Sequence, residues 1–106
     1  MTSALTLAEA NRGVVRARTA GRLTQVQERR AIRALQTFAA RCDLVAIVDP
    51  ILDRAGRPFP VEPIRTLDAI HLATAEFLGG APQLLTVLTR DARVRENARA
   101  LGFGTA

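Results

Sequence analysis

Two short aliphatic runs constrain the fold of this 106-residue chain more than any other feature. Asp43 to Asp49 reads DLVAIVD, and Gln83 to Asp91 reads QLLTVLTRD. Neither alternates apolar with polar residues, as a strand with one wet face would. Unbroken Leu, Val and Ile is the pattern of a parallel strand buried on both faces. The remaining sequence must then supply helices to cover those faces.

Helical periodicity fills the intervals. Thr2 to Leu23 is a first helical region, with Ser3 or Thr6 as its cap and Leu5, Ala8, Arg12 and Val15 at helical spacing. Thr24 caps a second helix, Gln25 to Ala40, whose apolar stripe is Val26, Ile32, Leu35, Phe38 and Ala39. Pro50 ends the first aliphatic run, and PILDRAG is a short helix or turn. GRPFPVEP, with three prolines, is a loop. Thr66 caps the LDAIHLATAEFLG helix, and Gly79-Gly80 stops it. Ala92 to Leu101 is the last helix, and FGTA starts a final strand. The order predicts a single α/β domain over residues 1–106, with a parallel sheet flanked by helices on both faces.

Charge is unevenly spread. All 15 basic residues are Arg, a choice that with 19 Ala points to a GC-rich genome. Residues 1–42 carry eight Arg against Glu9 and Glu28, while residues 43–106 are close to balanced, with seven Arg against eight acids. Such asymmetry fits either an anionic partner or a solvated, Arg-rich helix face. Four Phe without Trp or Tyr argue against recognition of single-stranded RNA by base stacking. Cys42, the sole cysteine, cannot form an internal disulfide and reads as a small core residue. No apolar run reaches membrane-spanning length and no signal-peptide core opens the chain, which predicts a soluble, cytoplasmic protein with no membrane partner.

Three acids sit where solvent-facing acids are not needed. Glu9 lies in LTLAEA, Asp68 in the first turn of an apolar helix, and Asp91 at the end of an aliphatic run. Ligands of open parallel sheets bind outside the carboxyl ends of the strands, where the following helices begin. Asp68 and Asp91 are therefore expected to approach each other. Clustered carboxylates are costly unless a cation neutralises them, and Mg²⁺ suits such oxygen donors. Each acid also has a plainer structural reading: Asp68 as a helix-dipole partner, Asp91 as a helix cap, Glu9 as a partner of Arg12 or Arg16. His71, one turn after Asp68, reads as a core-lining or hydrogen-bonding residue.

SALTLAEANR, RTLDAIHLATA and LTRDARVRENARALGF, in that order, resemble three successive motifs of PIN-domain proteins, specifically the VapC-type toxins. The resemblance implies a PIN-like three-layer fold. It implies a Mg²⁺- or Mn²⁺-dependent endoribonuclease of a toxin–antitoxin system, with RNA as substrate, a cognate antitoxin and a homodimer as partners. Carried over residue by residue, the metal-binding and catalytic acids are Glu9, Asp68 and Asp91, and Thr89 is the hydroxyl beside the last of them. Arg12 and Arg16 are the candidates for positioning RNA phosphates.

Such proteins open with a strand bearing a further aspartate, and no such strand precedes SALTLAE here. The chain is therefore expected to lack the N-terminal central strand, which would expose sheet edges and impair catalysis. A misassigned GTG start at Met1 is a second explanation, and the upstream reading frame separates the two. The alternative functional reading is a catalytically inactive PIN-like module that binds an antitoxin, RNA or itself. A phosphate-binding α/β domain is disfavoured, because neither strand is followed by a Gly-rich loop.

Overall fold

The computed structural model describes residues 2–106. The reading of Met1 as a misassigned start lies outside them. The order is β1 (Thr2–Ser3), α1 (Ala4–Thr19), α2 (Gln25–Arg41), β2 (Leu44–Val45), α3 (Asp49–Ala55), α4 (Thr66–Phe77), a 3₁₀ turn (Pro82–Leu84), β3 (Thr86–Val87), α5 (Ala92–Ala100) and β4 (Gly104–Thr105). This is an α/β fold with parallel strand pairs, as predicted. It divides into two compact units, one running to Ala46 and the other covering Ile47–Ala106.

The first unit is a helical hairpin on a parallel strand pair. Ser3 starts α1: it is buried, and its side chain accepts from the Leu5 N–H at 3.2 Å. Thr24 and Gln27 form a capping box at the start of α2, each side chain accepting the other's backbone N–H. Arg18 pairs with Glu28 at 3.2 Å, linking α1 to α2. β1 aligns Thr2 with Leu44 and Ser3 with Val45. Among the described residues neither helix has a fully buried side chain, and Val26 and Phe38 on α2 are each 57% exposed. Cys42 is only half-buried, not the core residue expected.

The second unit holds the buried core: Ile51, Phe59, Ala69, Ile70, Leu72, Ala73, Val94, Ala98 and Phe103. α4 contributes four of these, which explains its nearly uniform apolar sequence. It packs on α3 and α5. Gly79 and Gly80 adopt φ of 72° and 75° immediately after it, a conformation that ends a helix cheaply only with glycine. β3 and β4 pair in parallel, with Thr86 opposite Gly104 and Val87 opposite Thr105. No described helix is long and apolar enough to cross a membrane.

The strands are shorter and wetter than the sequence implies. Only Leu44–Val45 of the first aliphatic run pairs, and Leu44 is exposed. Asp49-Pro50 begins α3 rather than merely ending a strand, since proline's fixed φ suits the first helical turn. In the second run, Gln83 and Leu84 turn with Pro82, leaving Thr86–Val87 to pair. Leu84 and Leu88 are 88% and 78% exposed, so this strand is not buried on both faces.

Candidate active site

In the second unit, the sequence around Asp68 is a helix start. Arg65 is the N-cap of α4 in extended conformation, with no side-chain capping bond, so the Thr66 cap predicted from sequence is displaced by one residue. Asp68 lies in the first turn, where the unpaired N–H groups of the helix favour a carboxylate. It is half-buried, and so is His71 one turn further on. Neither is sunk in the core, which is built instead from Ala69, Ile70, Leu72, Ala73 and Thr74 on the same helix.

Asp91 occupies the N-cap of α5. Its Oδ1 accepts the Val94 N–H at 3.0 Å, the capping role its position before ARVRENA suggests. Its own N–H donates to Thr89 Oγ1 at 3.1 Å. Arg95 reaches back and donates from Nη2 to the Thr89 carbonyl at 2.7 Å. The TRD turn is thus closed on both sides. Thr89 holds the backbone of Asp91, and Arg95, which the sequence reading did not single out, holds Thr89.

Glu9, Arg12 and Arg16 belong to α1 of the first unit, and all three are exposed. Their i, i+3 and i+7 spacing puts them along one helix face. Among the described residues, no group of three His, Cys, Asp or Glu side chains stands close enough together to hold a metal ion. The donor chemistry nevertheless suits a hard divalent cation. Asp91 keeps a second carboxylate oxygen beyond the one that caps α5, and Asp68 adds a carboxylate at the start of α4.

Two polar groups that reasoning from sequence missed hold the loop between α3 and α4. Glu62 accepts the Phe59 N–H at 3.0 Å through Oε2 and the Ile64 N–H at 2.9 Å through Oε1. Asn97, fully buried on α5, accepts the Val61 N–H and donates to the Val61 carbonyl, both at 2.8 Å. Asn97 had a readable signal: it shares the i, i+3, i+4, i+7 apolar face of Val94, Ala98 and Leu101, where an amide needs a specific partner.

Comparison with known proteins gives a consistent picture. The family model described as "PIN domain" matches residues 1–100. Ribonuclease VapC35 of Mycobacterium tuberculosis is 38% identical over 89 residues, covering 76% of this chain and 65% of its own length. Ribonuclease VapC46 of the same organism is 44% identical over 73 residues, 69% of this chain and 54% of its own length. The chain therefore spans a little over half to two thirds of these relatives. No solved structure matches it.

Proposed function

The chain belongs to the PIN-domain family, and from that premise we propose that it is a divalent-metal-dependent endoribonuclease, the toxin of a toxin–antitoxin pair. The observation that carries the reading is the placing of two carboxylates at helix starts in one unit: Asp68 in the first turn of α4 and Asp91 at the N-cap of α5. Both lie in the segments that resemble the motifs of VapC-type proteins, and the relatives matched are named as ribonucleases.

Asp68, Asp91 and Glu9 are the proposed ligands of Mg²⁺ or Mn²⁺. When bound, such an ion supplies Lewis acidity for hydrolysis of a phosphodiester and charge to stabilise its transition state. Thr89 and Arg95 keep Asp91 in place through the closed TRD turn. Arg12 and Arg16, exposed on α1, bind RNA phosphates and add salt dependence without base specificity. A cognate antitoxin, a homodimeric state and a cytoplasmic location complete the proposal.

Cleavage of total bacterial RNA with and without Mg²⁺, by the wild type and by Asp68→Asn, tests it. The expected result is metal-dependent cleavage lost in the variant. Cleavage that persists in chelator, or is unchanged by Asp68→Asn, rules out the assigned role. Val26 and Phe38, exposed on α2, favour a second reading in which the chain binds an antitoxin or a second copy without cleaving. Absence of Mn²⁺ binding at millimolar concentration would select that reading.

A further inference from the structure

The loop at residues 56–65 delivers the chain into α4, and therefore delivers Asp68. It is fastened more firmly than a loop with three prolines requires. Glu62 braces it internally through the Phe59 and Ile64 N–H groups. From α3, Arg54 stacks over the Phe59 ring at 3.9 Å and donates to the Arg57 and Pro58 carbonyls. Arg54 also pairs with Glu76 of α4 at 3.0 Å.

The longest-range fastening comes from α5. The Asn97 amide pairs with both backbone groups of Val61, as one strand pairs with another, and its Nδ2 also donates to the Arg93 carbonyl at 3.0 Å. One turn earlier on α5, Arg93 donates from Nη1 to the Pro63 carbonyl at 3.2 Å. All of the Asn97 bonds go to backbone, so its orientation is fixed: Val61 N–H requires an acceptor and two carbonyls require donors.

These bonds do something the apolar core cannot. The buried apolar residues of α4 and α5 are Ala69, Ile70, Leu72, Ala73, Val94 and Ala98. Burial of apolar surface is non-directional. Directional hydrogen bonds resist sliding. Asp91 caps α5, which carries Asn97 six residues later; Asn97 grips Val61, seven residues before Asp68.

We propose that Asn97 is a positioning residue: by pairing with Val61 it locks the loop before α4 to α5, and so sets where the Asp68 carboxylate stands relative to the Asp91 carboxylate. Glu62 is the second part of the same device, keeping the gripped loop rigid up to Ile64. The inference rests on the proposed metal-dependent nuclease activity, because it assigns those two carboxylates a shared task.

The test compares the full chain with Asn97→Asp, which keeps the shape and one acceptor but loses the donors to Val61 and Arg93. Glu62→Ala serves as a second variant that changes an exposed loop residue, and Ile51→Val as a core control. Mn²⁺ affinity is read by electron paramagnetic resonance titration, alongside RNA cleavage. Asn97→Asp is expected to weaken Mn²⁺ binding at least tenfold and to lower RNA cleavage on the order of a hundredfold, the effect of about 1 Å of misplacement. Glu62→Ala is expected to move both in the same direction by about tenfold. Ile51→Val lowers the melting temperature and leaves Mn²⁺ affinity as it was. If Asn97→Asp does not fold, the Glu62→Ala result decides alone. Wild-type Mn²⁺ affinity in the folded variants overturns the positioning role and leaves the nuclease reading standing. Absence of Mn²⁺ binding and cleavage in the wild type overturns the nuclease reading, and the positioning role with it.

Discussion

Asp91 carries two separable burdens, and two substitutions pull them apart. Its Oδ1 caps α5 by accepting the Val94 N–H, and its negative charge is proposed to bind a metal ion. Asn is as good a cap as Asp, so Asp91→Asn keeps the bond and removes the charge. Asp91→Ala removes both. Loss of an N-cap costs about 0.5–2 kcal/mol, centred near 1. The Val94 N–H loses its acceptor, and Val94 itself is buried, which places the cost of Asp91→Ala at about 1 kcal/mol or above. In a chain of this size that is a drop of about 4–8 °C in melting temperature. Asp91→Asn gives up only the charge–dipole interaction, about 0.3–1 kcal/mol. With neither Trp nor Tyr in the chain, far-UV circular dichroism under urea and heat is the assay. Asp91→Ala should lie clearly below Asp91→Asn in stability, while both abolish metal-dependent cleavage. Equal destabilisation by the two would refute the cap as the source of stability. Full cleavage by Asp91→Asn would refute the charge as the source of activity.

Two further outcomes follow from the same packing and charge. Leu72, 1% exposed on α4, should cost about 2–5 kcal/mol when replaced by Ala, measured by urea denaturation; a loss under 1 kcal/mol would mean that α4 is not the centre of the core. Replacing Arg12 and Arg16 together by Ala should weaken binding of single-stranded RNA uniformly across sequences and reduce the slope of log K against log salt by about 1.4. A sequence-selective loss, or an unchanged slope, would remove them from phosphate contact.

The helices were legible in sequence because their signals are local. Thr24 and Gln27 announce α2 by a capping box, and Gly79-Gly80 announce the end of α4. The strands were less so. DLVAIVD has the composition of a seven-residue buried strand, yet only two of its residues pair, because Asp49-Pro50 is a better helix start than a strand end. QLLTVLTRD was overextended for a related reason: Pro82, just upstream, pulls Gln83 and Leu84 into a 3₁₀ turn. Asp68, Thr89 and Asp91 could be named from the order of their motifs. Glu62 and Arg95 could not, and Asn97 showed only as an amide on an apolar helix face, because each matters through a backbone group that has no residue identity to read. Asn97 binds Val61 N–H and C=O, Glu62 binds two N–H groups, and Arg95 binds the Thr89 carbonyl.

The grip of Asn97 on Val61 spans 36 residues. Ribosomes add about 5–20 residues each second, so about two to seven seconds separate synthesis of the loop from synthesis of its clasp. For all but the first seven residues of that interval the nascent chain contains Asp68 but lacks the tie between its loop and α5. On the nuclease reading proposed above, the Asp68 carboxylate gains its alignment only once α5 has been made.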